Sequence, residues 1–485
     1  MPPSTPDAIV VGSGPNGLAA ALTLARAGLA VRVYEGAEVA GGGLRSAEAT
    51  APGFINDHCA SVVATALVSP FFRALGAFPV SVAHPPVAAA HLLAPDRAVL
   101  LHRSIDETAA GLGRDGGAWR AIFGPLVEAA DRLMPWVLGP VPRVPPVRAM
   151  AAAARFGPAA LLPAAGLARL AFREEPARAL FAALSAHGMA RLDGAATSGF
   201  GLVLGMAAHA VGWPVVESGS QRLADALLGE IRAAGGDVVT GTWIRSLDDL
   251  PPAGAVLLDV APPGLASIAG DRLPESYRRA LGRFRFGPGV CKVDWALREP
   301  IPWRALELRA AGTVHLGGGL GALRGAERAV NRGSPAGRPF VVVVQPSVAD
   351  ASRAPAGAST AWAYAHVPNG WAADESAAIE ALVEEAAPGF RDLVLARAAR
   401  TAQAFGLENP TAPGGDMGAG ATDLRQIIAR PVLTADPYRT PARGVYLCSA
   451  ATPPGGGVHG MCGWRAARSA LRHEFGIRED PLGIA

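Results

Sequence analysis

The strongest hydrophobic pattern lies at the start of the chain. Ala8 to Val11 are uninterruptedly apolar, and Leu18, Ala21, Leu22 and Ala25 then recur at one face of a helix. An unbroken apolar run predicts a strand covered on both faces, as in a parallel sheet. Gly28 ends the helix, and "AVRVYE" returns as a second strand closing on Glu35. A related unit stands near the other end. Val445 to Cys448 read as a short strand, "SAATPPGGG" as a glycine loop, and Ala467, Ala470 and Leu471 as one face of a final helix. Between them "QRLADALLGEIRAAGGDVVTGTWIRSL" predicts helix, turn and strand, and "AVLLDVAPPG" a further buried strand. "VCKVDWAL", "FVVVVQ" and "TAWAYAHV" predict strands of a mixed sheet, while residues 76–214 are Ala/Leu/Pro-rich with helical stretches.

The first unit carries a chemical signature. Gly12 allows a tight turn, Gly14 lets backbone approach a diphosphate, and Gly17 lets helix pack on strand, so the diphosphate meets the positive end of the helix. Glu35, 18 residues beyond Gly17, is placed to bind ribose hydroxyls and to repel a 2'-phosphate. A second glycine run, Gly41, Gly42 and Gly43, with Arg45 just after it, wraps the same diphosphate and adds a cation, which an extended FAD needs. The fold class expected is α/β, a Rossmann-type FAD-binding domain with a discontinuous mixed-sheet and helical substrate domain. The segments are 1–75, 215–270 and 415–485 for FAD binding, 76–214 for a helical lid, and 271–414 for the substrate sheet. A later run, "TVHLGGGLGALRG", has glycines at 319, 321 and 325, one residue too long for a second dinucleotide fingerprint, and predicts a turn.

These motifs resemble the glutathione-reductase-type FAD fold shared by carotenoid (phytoene) desaturases and flavin amine oxidases. "GVYLCSAATPPGGGVHGMCGWRAARSAL" is similar to the terminal flavin motif of phytoene desaturase-like oxidoreductases, in particular the branch named for a pyridine nucleotide-disulfide oxidoreductase domain. The resemblance implies that the last helix points at the flavin ring, with Ala450, Gly457 and Val458 in contact with it. It also implies that backbone near Ile244 meets the adenine. The expected activity is a desaturase or dehydrogenase that takes hydride from an isoprenoid- or lipid-like molecule. An amine oxidase and a non-catalytic FAD-binding scaffold are the alternatives.

Lys292, Tyr364 and His366 are the candidates for the chemistry. Trp362, Tyr364 and His366 alternate onto one face of a strand, where they line an apolar pocket or pack in the core with His366 hydrogen-bonded. Lys292 is the sole lysine in the chain, and shares a strand face with Val290 and Asp294. In flavin amine oxidases a lysine in a similar context holds a water against flavin N5, and "GVCKVDWALREPIPW" has the same order of features. The alternative is a solvated Lys292–Asp294 surface pair, worth little. His459 and Cys462 fall within one helical turn but lack a second ligand pair, so no metal site is expected.

Composition narrows the partners. A net charge of +3 without basic blocks excludes a nucleic-acid role. Four cysteines without paired spacing exclude a zinc module or disulfide scaffold and fit a reduced cytoplasmic setting. The amino terminus has no secretion pattern. The greasiest stretch, 156–168, holds two prolines and is too short to span a bilayer. A packed helical hairpin is favoured there over peripheral contact with a membrane.

Overall fold

The computed structural model describes residues 5–141 and 143–484. Two sheets carry the architecture. Their strands are β1 (Ala8–Val11), β2 (Val31–Tyr34), β3 (Val87–Ala94), β4 (Arg97–Leu101), β5 (Asp237–Val239), β6 (Ala255–Leu258), β7 (Gly289–Leu297), β8 (Ala311–Leu316), β9 (Val341–Val344), β10 (Ser359–Val367), β11 (Val394–Arg400) and β12 (Val445–Leu447). The five-stranded sheet has the order β12-β6-β1-β2-β5 and is parallel throughout, drawing on three separated stretches of chain. The seven-stranded sheet has the order β11-β7-β10-β9-β8-β3-β4 and is mixed, because β8 and β3 pair parallel while its other neighbours pair antiparallel. The α/β class and Rossmann-type domain expected from the sequence are therefore present.

The helices that position the site are α1 (Pro15–Arg26), α2 (Met150–Leu161), α3 (Ala164–Ala171), α4 (Glu175–Ala186), α5 (Ser198–Val211), α6 (Leu320–Val330) and α7 (Met461–Glu474). Helix α1 starts on Pro15, whose fixed φ suits the first turn, and its alanines and leucines have high helix propensity. It packs directly against α7. A Cβ added at Gly463 would lie 1.8 Å from the Asn16 carbonyl oxygen, so only glycine permits this approach, and it brings both helix N-termini to one place.

The larger sheet separates two cores. Trp362, Tyr364, Val342 and Val344 share a core with α1, α7 and the lid helices, while Trp295, Trp303 and Phe390 belong to a second core on the opposite face. Register aligns Arg400, Lys292, Tyr364, Val342, His315 and His91 in one row across the sheet. Its Arg400 and Lys292 end carries charge, and its His315 end meets His187 beneath the lid helices.

Three elements differ from expectation or sharpen it. Residues 87–101, inside the stretch read as a helical lid, form the hairpin β3–β4 of the larger sheet. The run "VAAAHLLA" is buried on nearly every residue, so it lacks the polar alternation that marks a strand. The glycine run at 317–319 does turn, but a helix, α6, follows it. Its N-terminus takes the Glu175 carboxylate, which accepts from Leu320 N–H at 2.6 Å. The apolar stretch 156–168 forms the hairpin α2–α3, bent by 112°.

Gly463→Ala is expected to destabilise the protein by about 1–3 kcal/mol through overpacking, read as a lowered denaturant midpoint. Gly321→Ala, where nothing lies within 4 Å of the added carbon, should leave that midpoint unchanged or raise it.

Candidate active site

The cradle for a dinucleotide is assembled from backbone. A Cβ at Gly17 would sit 2.1 Å from the Gly12 carbonyl oxygen, so helix and strand touch there. Gly42, with φ of +54°, lies against the Cα of Gly14, so the second glycine loop closes over the first. Glu35 ties the two together. Its Oε2 accepts from Ser13 N–H at 2.9 Å, its Oε1 from Ala37 N–H at 2.9 Å, and the Ser13 hydroxyl accepts from Gly41 N–H at 2.9 Å. Arg45 donates from Nε to the Gly42 carbonyl at 3.0 Å, and its terminal nitrogens carry no hydrogen bond among the described residues. Side-chain-free turns, two converging helix N-termini and an available guanidinium fit a diphosphate-bridged cofactor.

The remaining predicted contacts surround this cradle. Ile244 is buried with Ile9 and Val11 beside β1. Val458 and Gly457 lie near Thr65, whose hydroxyl donates to the Val458 carbonyl at 3.2 Å, and Ala450 accepts from Arg430 Nε at 3.0 Å. His459 receives Met461 N–H on Nδ1 at 3.1 Å, which caps α7, and its Nε2 meets the Gly455 carbonyl at 3.1 Å. Burial pushes His459 down to about 4 and Cys462 up to about 11, so both stay neutral and structural at physiological pH. Among the described residues no group of His, Cys, Asp or Glu could hold a metal ion.

Lys292 is not a surface residue. Its side chain and that of Asp294 are each 1% exposed, and the two form an ion pair on one face of β7. The ammonium stands 4.8 Å from the Trp362 ring centroid, and Arg400 approaches the other Asp294 oxygen at 3.8 Å. Burial lowers the Lys292 pKa and the Arg400 charge lowers it further, while Asp294 and Asp57 oppose them. The Lys292 charge is felt by His58 and Cys59. Cys59 touches the place where a Gly43 side chain would be and lies 3.4 Å from the Met417 sulfur. Lys292 thus lies on the Trp362 side of the sheet. The solvated-pair reading fails because all nine residues of β7 are buried.

Trp362, Tyr364 and His366 do share a face, stacked with ring centroids 5.8 and 5.7 Å apart. Trp362 donates from Nε1 to the Ser61 hydroxyl at 2.9 Å. Burial raises the Tyr364 pKa, and its hydroxyl has no hydrogen bond among the described residues. His366 stands apart from the cradle. Its Nδ1 meets Glu327 Oε1 at 2.6 Å, with both side chains buried, in a layer that also holds His315 and His187, whose Nε2 atoms are 2.9 Å apart. Lys292 and Trp362 therefore stand together on the face that Ser61 ties to the first segment, and His366 joins a hydrogen-bonded core pair.

Three contributors escaped the sequence reading. Asp259 ends β6 and accepts Gly17 N–H at 2.9 Å inside the cradle, where burial pushes it up to about 7 and Glu35 adds to the rise. Trp243, 57% exposed, lays its ring on Gly36 just beyond Glu35. A cavity of about 1270 Å³ opens between residues 189–197, 285–288, 330–333, 368–373 and 421–425. One wall of it continues into Gly418, which packs on Gly456 of the glycine loop before α7.

Residues 10–75 match the family model of an NAD(P)-binding Rossmann-like domain. Over 95 residues the chain is 43% identical to pyridine nucleotide-disulfide oxidoreductase domain-containing protein 2 of Rattus norvegicus, a match spanning 19% of this chain and 16% of the rat protein. Among solved structures, a putrescine oxidase variant superposes with a TM-score of 0.62 at 17% identity, over 96% of this chain and 98% of that one. Cyclohexylamine oxidase from Brevibacterium oxydans gives 0.55 at 14% identity, over 96% and 98%. The chain has the fold of flavin-dependent amine oxidases, and its relatives and structural neighbours are oxidoreductases.

Asp259→Asn is expected to tighten binding of an anionic dinucleotide and to raise Tm more at about pH 8 than at about pH 4. A carboxyl whose folded pKa is raised costs stability increasingly as pH climbs from its unfolded value toward about 7, and the amide removes that cost while still accepting from Gly17. Thermal melts at the two pH values check the sign.

Proposed function

We propose that the chain is an FAD-dependent dehydrogenase of the phytoene desaturase-like kind, which removes hydride from a mostly apolar, isoprenoid- or lipid-like molecule and leaves a C=C or C=N bond. The observation that carries this reading is the buried Lys292–Asp294 pair against the Trp362 ring, which Ser61 ties to the segment that follows the second glycine loop. FAD, when bound, supplies the hydride acceptor. The chain's part is orientation and electrostatics. The N-termini of α1 and α7 and the Arg45 guanidinium face the anionic cofactor, and Glu35 with Trp243 marks the outer, adenosine end. The buried Trp362 and Tyr364 rings form a dry wall that would orient a substrate C–H toward the bound cofactor. Lys292, a compact charge fixed by Asp294, keeps its protons at one point of that wall, a role the planar, permanently charged guanidinium fills less well. A 180 Å³ pocket bounded by Arg45, Asp57, His58, Asp294 and Arg400 adjoins the pair and has room for a few waters.

The buried Lys292 also suits an amine oxidase. The wall of the large cavity favours the dehydrogenase of uncharged or anionic molecules instead, because Arg191, Arg285 and Arg425 outnumber its one carboxylate, Asp423, and repel an ammonium.

Purified protein reconstituted with FAD should bleach anaerobically with a lipid-like substrate and not with primary amines. Lys292→Met should keep FAD bound while slowing substrate oxidation or flavin reoxidation by oxygen at least tenfold. Unchanged kinetics would remove Lys292 from the mechanism, and a colourless protein that takes up no FAD would remove both enzyme readings.

The lid supports delivery of the substrate from a lipid surface. Val144, Val147, Met150, Leu161, Leu162 and Leu170 are exposed on or before the α2–α3 hairpin. Residues 132–173 contain Arg132, Arg143, Arg148, Arg155, Arg169 and Arg173 and no carboxylate. Leu161 and Leu162 accept backbone hydrogen bonds from Ala196 and Ser198, beside the cavity wall. The protein should therefore sediment with vesicles containing phosphatidylglycerol and less with pure phosphatidylcholine. Val147→Asp combined with Leu170→Asp should abolish this. Equal recovery of wild type and variant would argue against the contact.

A further inference from the structure

The charge at the mouth of the large cavity goes beyond what flavin chemistry requires. Arg285 is neutralised by Asp423 at 2.5 Å. Asp193, at the same mouth, is shared by Arg191, at 3.1 Å, and Arg328, so one positive charge remains there. Arg425 has no ion pair among the described residues and contributes a second. The rim is thus basic, with donors from two separate stretches of chain.

The interior is different in kind. Met189, Phe286, Val330 and Trp371 line it, and at about 1270 Å³ it exceeds the roughly 300–1,000 Å³ usual for compact small-molecule pockets. An apolar space of that size suits a long chain better than a compact metabolite. Guanidinium groups at its edge suit a planar or tetrahedral oxyanion, which they can bind through two parallel N–H donors. Inward, the wall at residues 421–425 leads to Gly420 and Gly418 against the glycine loop before α7. The opposite wall, at Pro368, begins two residues past His366.

We propose that this cavity binds an amphiphile with a single anionic head, a carboxylate or phosphate on a hydrocarbon chain. The head sits between Arg191 and Arg425 and the chain lies on Met189, Phe286, Val330 and Trp371. The site rests on the dehydrogenase reading in one respect, that the ligand it admits is the substrate. Binding itself needs no turnover. Each buried methylene contributes roughly fourfold in affinity, and the head fixes which end enters first.

The test is calorimetric titration of the FAD-loaded protein with decanoate, decyl phosphate and 1-decanol, below their aggregation limits. Decanoate or decyl phosphate should bind at one site at least tenfold more tightly than the alcohol, and whichever anion is tighter identifies the head group. Arg191→Gln combined with Arg425→Gln should erase that preference while leaving alcohol binding and flavin content unchanged. Equal affinity for alcohol and anions, an anion preference that survives in the variant, or no binding of either anion would overturn the site. Anion binding without anaerobic bleaching by any lipid would instead count against the dehydrogenase reading and leave the site standing.

Discussion

The position of the Trp362–Tyr364 face relative to the glycine-loop cradle is held by a buried arginine. Arg353, fully buried on the connection leading into β10, donates to Asp57 of the nucleotide-binding domain at 3.0 Å, to Asp350 at 3.0 Å and to the Val216 carbonyl at 2.8 Å. Asp57 in turn accepts from Ser46, Ser61 and Ser220 N–H, and Ser61 takes the indole N–H of Trp362. A chain of charge-assisted bonds therefore runs from the glycine loops to the aromatic face over which Lys292 sits. Removing one partner of such a buried cluster costs about 3–5 kcal/mol, because the others are left charged and unsolvated. The larger sheet is thus tied to the segment after the second glycine loop beside the Lys292–Trp362 contact.

The Lys292–Asp294 pair belongs to the same layer. Burying it carries a desolvation cost, which Asp294, Asp57 and the Trp362 ring offset in part while the Arg400 charge opposes. The neighbouring histidine layer is satisfied differently. His366 has Glu327 and His315 has His187, both contacts lying between the larger sheet and the helices packed on it. One face of a single sheet thus offers a charged end at Lys292 and Asp294 and a histidine-rich, hydrogen-bonded end under the lid.

What the sequence revealed was local. Gly12, Gly14, Gly17, Gly42 and Glu35 lie within one strand-turn-helix-strand unit, where spacing alone dictates which backbone approaches which. The same holds for the glycine loop and helix that follow β12. Partners distant in the chain were hidden. Asp259 meets Gly17 from 242 residues away, and Arg353 meets Asp57 from 296. Lys292 could be placed on an apolar strand with Asp294 beside it, yet its burial could not be read, since a strand buried on both faces shows no alternation. The alanine-rich β3 failed to announce itself for the same reason, and the fate of His366 turned on Glu327, a residue of α6 with no sequence signal of its own.

The central claim is that the cradle between α1, α7 and the second glycine loop is built for an extended flavin dinucleotide and not for a nicotinamide one. Titration of cofactor-free protein with FAD and, separately, with NAD, followed by tryptophan fluorescence, tests it most directly. The account predicts saturable binding of one FAD per chain, with NAD at least a hundredfold weaker. Preferential binding of NAD, or indifference to FAD, would contradict it.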